Sequence, residues 1–187
     1  MAHPPTLDAR HQLVVKLYEL FRQRGYEGVS IGDISDATGL GRSSLYHHFP
    51  GGKEAMAEAV IAFTRDALEA KVLAPLRASG DSLARIDTML AAVTDLYASG
   101  SVPCVLAALL STNADGPLAQ GAAQILVDWT AELAAAVEQL GVPPEDARRR
   151  ARAALALVQG ALVMTRALRD PVAFHDAIEA ARQTLEQ

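Results

Sequence analysis

The sequence predicts an all-α fold of about nine helices in two domains, a three-helix unit over residues 1–52 and a larger helical unit over 53–187. Two observations predict it. Apolar residues recur at helical spacing in each long segment, and no run alternates with the period of two that a half-buried strand requires. Alanine and leucine dominate a chain in which half the residues are hydrophobic and aromatics are scarce, a composition that favours helices.

The first seven residues, with Pro4-Pro5, read as a short arm, and Thr6 or Asp8 can cap a first helix that runs to about Arg24. Leu13, Leu17, Leu20 and Phe21 give it an apolar stripe, and Gly25 ends it. Ser30 followed by Asp33 is a capping-box-like start for a short helix over 31–38, with Ile31, Ile34 and Thr38 in period. Gly39-Leu40-Gly41 breaks that helix with two residues that tolerate positive φ. A third helix follows from about Ser43 to Phe49, and Pro50-Gly51-Gly52 stops it.

From Lys53 a long helix is expected to reach about Leu73 and to end before Pro75. Asp81 begins another, with Ile86, Leu90, Val93 and Tyr97 on one face and its end near Gly100. Val102 to Ser111 is short and nearly all apolar, which reads as a buried helix. Asp115-Gly116-Pro117 caps a helix reaching about Leu140, with Ile125, Trp129 and Leu133 in register. Pro143-Pro144-Glu145-Asp146 opens a long helix over 144–169, rich in Ala and Gly, and Pro171 separates it from a last helix over 172–185.

Function is carried by the stretch Ser30–Lys53. A helix, a glycine turn and a second short helix form the helix-turn-helix, whose second helix enters the DNA major groove. At 100° per residue Leu45 and Phe49 share the side that can be buried, while Ser43 and His47 point away, flanked by Ser44 and Tyr46. Hydroxyls, an imidazole and a phenol on one outward face can bond base edges or phosphates, and Arg42 at the entrance can reach a guanine or a phosphate. Net charge adds no support. The chain is acidic at −5, and residues 1–56 are neutral with six basic and six acidic groups.

Other chemistries find no matching pattern. Gly51-Gly52-Lys53 is not a phosphate-binding P-loop, because His47 stands at the earlier glycine position and Glu54 follows the lysine. His47 and His48 are adjacent, His175 is isolated, and neither HExxH nor CxxC occurs, so no metal, no cofactor and no enzymatic activity are expected. Cys104 has no disulfide partner in the chain, no signal peptide is evident, and no unbroken apolar run reaches eighteen residues, which together read as a cytoplasmic protein without a membrane span. Arg148, Arg149, Arg150 and Arg152 read as a solvated or inter-subunit salt-bridged face, with Glu145 and Asp146 as partners.

The run GVSIGDISDATGLGRSSLYHHFPGGKEAM closely resembles the DNA-binding signature of the TetR family of transcriptional regulators. The matching features are the Ser30 cap, the helix and turn from Ile34 to Gly39, Leu45-Tyr46-His47-His48-Phe49, and Lys53-Glu54. Many members have one residue between the proline and the lysine. Here there are two glycines, and PGGKE resembles the LmrA/YxaF-like branch. The resemblance implies a ligand-responsive regulator on double-stranded DNA with a palindromic operator. Arg42, Ser43, Ser44 and His47 would read bases, and Ser30, Tyr46 and Lys53 would hold phosphates. It also implies a homodimer through 144–169 and 172–185, and a helical pocket for a small apolar or neutral effector. Met89, Tyr97, Cys104, Asn113, Trp129 and Met164 are the candidate lining residues, as large or polar members of Ala/Leu-rich helices. A helical carrier or protein-interaction module with a structural helix-turn-helix stays open, as does activation in place of repression.

Overall fold

A computed structural model describes residues 9–111 and 116–186. Ten α-helical segments follow in order: α1 (Ala9–Arg24), α2 (Ile31–Thr38), α3 (Arg42–His48), α4 (Gly52–Leu68), α5 (Ala74–Arg77), α6 (Ser82–Leu96), α7 (Val105–Leu110), α8 (Pro117–Glu138), α9 (Pro144–Leu168) and α10 (Val172–Glu186). A π-helical turn, Glu69–Leu73, joins α4 to α5 without a break, so the described residues hold nine continuous helices and no strand. The N-terminal arm, its capping Thr6 or Asp8, Asn113 and the cap at Asp115 lie outside the described residues.

The helix expected to end before Pro75 instead runs through it to Arg77. Proline cannot donate to the carbonyl four residues back and its ring crowds that carbonyl. The π turn relieves this by widening the helix just ahead, where the Ala74 N–H bonds Glu69 O, five residues back. Gly39 takes the left-handed conformation expected of it (φ 75°), but Gly41 does not, being extended at the start of α3 (φ −66°).

The chain divides into two compact units. The first comprises Met1–Thr64 and Val105–Ala122, the second Arg65–Cys104 and Ala123–Gln187. The division falls later than the 52/53 boundary read from the sequence and is discontinuous, because α7 packs on α1. In the first unit α2 packs on α1 and on α3. Leu17, Phe21, Ile34, Leu45, Met56 and Val60 are wholly buried there, so each short helix contributes an apolar stripe to one core.

In the second unit α9 and α10 form the most extensive helix pair, and both also supply its core. The stripe Ala147, Ala151, Ala154, Val158, Ala161, Leu162 and Thr165 is buried on α9, with Phe174, Ala181 and Leu185 on α10. Small residues allow two helices to approach closely along their length. Gly100 (φ 86°) shows the same economy of space, since a Cβ there would lie 2.8 Å from Phe174 Cβ. Arg182 joins α10 to α6 through Asp87, at 2.7 Å.

Among the described residues of this unit one charged side chain is buried. Arg85 of α6 donates to Leu76 O (2.7 Å) and Ala78 O (2.9 Å), the loose carbonyls at the end of α5, and to Ser82 Oγ and Gln139 Oε1. It thereby satisfies a helix C-terminus from the side and ties the end of α5 to the region after α8. Arg85→Met removes these bonds and leaves the Leu76 carbonyl buried without its donor. It is expected to lower unfolding free energy by about 2–3 kcal/mol in a urea titration; an unchanged midpoint would show that the guanidinium is dispensable.

Candidate nucleic-acid interface

The recognition unit is assembled from local bonds. Ser30 is extended (φ −92°, ψ 164°) and caps α2: Asp33 N–H donates to Ser30 Oγ at 3.1 Å, and Ser30 N–H donates to Asp33 Oδ2 at 2.8 Å. The Ser30 hydroxyl also donates to Asp33 Oδ2, and Arg24 Nη1 bonds Asp33 Oδ1 at 2.8 Å. Those donors hold the Asp33 carboxyl below its ordinary range, the Ser30 hydroxyl first, then the Ser30 backbone and Arg24. At the far end of α2, Gly39 N–H bonds Ser35 O and the Ser35 hydroxyl bonds Leu40 O, so the turn is closed from both sides.

The turn delivers α3 with Leu45 and Phe49 buried and Arg42, Ser43, Ser44, Tyr46 and His47 exposed. The five residues singled out from the sequence on this helix therefore share one solvent-facing surface. Ser30 stands apart from them in chemistry. Its hydroxyl donates to Asp33 Oδ2 and accepts from the Asp33 N–H, so in the free protein the side chain is occupied in capping α2.

Beyond α3 the chain turns into α4 through the glycine doublet. Gly52 is buried, has φ +67°, and donates its N–H to Phe49 O at 2.9 Å. A Cβ there would meet Tyr46 Cε1 at 3.3 Å, so the phenol lies against bare backbone. The second glycine thus supplies a left-handed residue and room for the Tyr46 ring, a role the sequence reading did not assign. Lys53 follows in the first turn of α4, and its Nζ stands 4.2 Å from the centroid of the Tyr26 ring. Tyr26 in turn packs on Phe21, ring centroids 5.7 Å apart, and its phenol is held neutral, its pKa raised by burial first and then by Glu54 and Glu27.

The candidate effector residues of the second unit do not behave as one set. Met89, Tyr97, Cys104 and Trp129 are buried, and Tyr97 Oη lies 3.3 Å from Cys104 Sγ. Among the described residues Trp129 Nε1 is buried without a hydrogen-bond acceptor, the kind of orphan donor that a bound molecule or water satisfies. Met164 is half exposed on α9, where it lines an open apolar groove with Ala153, Leu157, Gly160 and Leu168. Its spacing places it off the buried stripe of that helix. Arg148 and Arg149 pair with Glu145 and Asp146 at 2.9 and 2.6 Å, as the i, i+3 spacing predicts.

The chain is similar to known proteins along most of its length. Residues 15–60 match the family model of bacterial regulatory proteins of the tetR family, and residues 83–180 match that of the C-terminal domain of LmrA/YxaF-like transcriptional regulators. The HTH-type transcriptional regulator LmrA of Bacillus subtilis is 22% identical over 162 residues, 84% of this chain and 86% of that protein. An uncharacterized HTH-type transcriptional regulator of Mycobacterium tuberculosis, Rv0196, is 28% identical over 171 residues, 86% of each chain. Among solved structures, a TetR transcriptional regulator from Legionella pneumophila superposes with a TM-score of 0.85 at 23% identity, covering 97% of this chain and 99% of its own. One from Chloroflexus aurantiacus gives 0.82 at 22% identity, covering 96% and 95%. At these identities the two structures establish the shared fold.

The cap of α2 carries a testable pH dependence. A carboxyl whose folded pKa is depressed contributes stability that is complete above its unfolded value and lost as pH falls through the folded one. Acid titration of stability should show this loss below the ordinary carboxylate range, and Asp33→Asn should remove that part of the profile. An acid limb identical in Asp33→Asn would place the titrating group elsewhere.

Proposed function

This chain belongs to the TetR family of transcriptional regulators, in its LmrA/YxaF-like branch, and from that premise we propose a cytoplasmic, homodimeric repressor that a small effector releases from a palindromic operator. DNA binding is the family's activity, and the chain is a regulator rather than an enzyme. The observation that carries the reading of its contacts is the α3 surface, where five side chains able to bond DNA stand exposed above the buried Leu45 and Phe49.

We assign base reading to Arg42, Ser43, Ser44 and His47, and phosphate contacts to Tyr46 and Lys53. A guanidinium can take a guanine edge bidentately, whereas a phenol and an ammonium are suited to phosphate oxygens, which carry no sequence information. Ser30 drops out of the phosphate set and serves as the cap of α2.

Dimerisation is supported by an unpartnered apolar face. Leu157, Val163, Met164 and Leu168 are exposed on α9, interleaved with Ala153, Ala156 and Gly160. By length and composition this helix would also pass as a membrane span, with mean hydropathy of 1.3 over its best window. A single such helix is weak evidence for one, and here its other face is packed into a protein core. A second copy covering the exposed face through α9 and α10 accounts for both faces, and two-fold pairing presents two recognition helices to symmetric half-sites.

For the effector we propose the interior around Met89, Tyr97, Cys104 and Trp129, where an apolar or neutral molecule with one acceptor suits the Trp129 N–H. Its binding would favour a dimer state whose recognition helices no longer match the half-site spacing.

Titration of the protein against its own upstream intergenic DNA and a random duplex, at two salt concentrations, tests the reading. Lys53→Ala should weaken binding to both duplexes and reduce the salt slope by about one; Arg42→Ala should also relax sequence preference, at a cost of about 1–3 kcal/mol. Equal losses on both duplexes for Arg42→Ala would remove its base-reading role. Met164→Glu should convert the dimer to monomer in sedimentation velocity, and an unchanged dimer would move the interface off this face.

A further inference from the structure

Lys53 carries a long, flexible side chain, and a phosphate contact requires that it be held in place. No carboxylate lies within ion-pair distance of Lys53 among the described residues; its contact is the face of Tyr26, at 4.2 Å. Tyr26 belongs to neither α1 nor α2. It sits in the turn between them, after Gly25 (φ 73°), and it is fixed from behind by Phe21, which is wholly buried in the first unit. The start of α4 is fixed as well, by the left-handed Gly52 and its bond to Phe49 O. A rigid ring and a rigid helix start therefore define where the Lys53 ammonium stands.

We propose that Tyr26 is a positioning residue for operator binding, holding the Lys53 ammonium by a cation–π contact before DNA arrives. The inference rests on the assignment of Lys53 to a phosphate. A lysine loses rotamer freedom when it is ordered. A ring that restricts it beforehand lowers the ordering cost charged to binding. The ring takes up one side of the ammonium only, so N–H donors on the other side remain for a phosphate oxygen. A phenol is neutral near pH 7, and burial first, then Glu54 and Glu27, shift this one further from ionisation, so the ring face acts through its quadrupole and not through a phenolate charge.

The contact can be seen directly in the free protein. Proton NMR of the wild type should show the Lys53 ε-methylene protons shifted upfield by the ring, and Tyr26→Phe should preserve that shift. The functional test is operator affinity by fluorescence anisotropy for wild type, Tyr26→Phe, Tyr26→Leu, Lys53→Ala and the Tyr26→Leu/Lys53→Ala pair, each checked by thermal melt. Tyr26→Leu should weaken operator binding about two- to fivefold with its salt slope intact, because the lysine is still present. Tyr26→Phe should stay within about 1.5-fold of wild type, since the ring face is kept. In the Lys53→Ala background the Tyr26→Leu change should have no further effect on affinity.

Tighter binding in Tyr26→Leu would mean that the ring competes with DNA for the ammonium, and would overturn the proposal. So would an equal loss in the two backgrounds, which marks a packing role alone, or an unshifted Lys53 resonance. If Lys53→Ala left affinity and salt slope unchanged, the phosphate assignment itself would fall, and the role of Tyr26 with it.

Discussion

The recognition helix has seven residues, and a helix that short does not persist in water by itself. Its conformation depends on the burial of Leu45 and Phe49. Each such side chain contributes about 1.5–3 kcal/mol when removed from water, enough between them to hold two turns of helix against fraying. The five α3 side chains proposed to meet DNA are oriented by those two anchors, since Arg42, Ser43, Ser44, Tyr46 and His47 belong to the same two turns. The polar face needs no packing of its own because the apolar face supplies it.

Around that anchor, short polar contacts determine angle and register. The reciprocal bonds of Ser30 and Asp33, reinforced by Arg24, start α2 at one residue, and the left-handed Gly39 ends it eight residues later. A turn closed by Ser35 and Gly39 then leaves little freedom for the entry of α3. Gly52 plays the corresponding part at the entry of α4, where a left-handed residue without a side chain admits the Tyr46 ring. The two phosphate candidates are thus placed by backbone geometry on one side and by an aromatic ring on the other.

The second unit follows a different logic. Its helices are long enough to be stable as amphipathic elements, and one of them, α9, is apolar on more sides than its own core covers. The buried stripe of α9 is built from Ala, Leu and Val, and so is its exposed face. Met164 illustrates why the two could not be separated beforehand: in a helix where most positions are apolar, periodicity no longer marks which side is inside. Arg85 is the opposite case. A buried arginine has no signature in the sequence, because its partners are carbonyl oxygens freed by a helix end that only the fold brings beside it.

Local chemistry alone determined the all-helical architecture, the limits of α2, the capping box and the outward face of the recognition helix. Each of those depends on interactions between residues fewer than about five apart, which spacing records directly. Tertiary structure decided what spacing does not record: the grouping of α7 with α1, the place of Tyr26 beside Lys53, and the exposure of Met164. Those depend on which surfaces meet across tens of residues, and a residue's own type says little about what another part of the chain will lay against it.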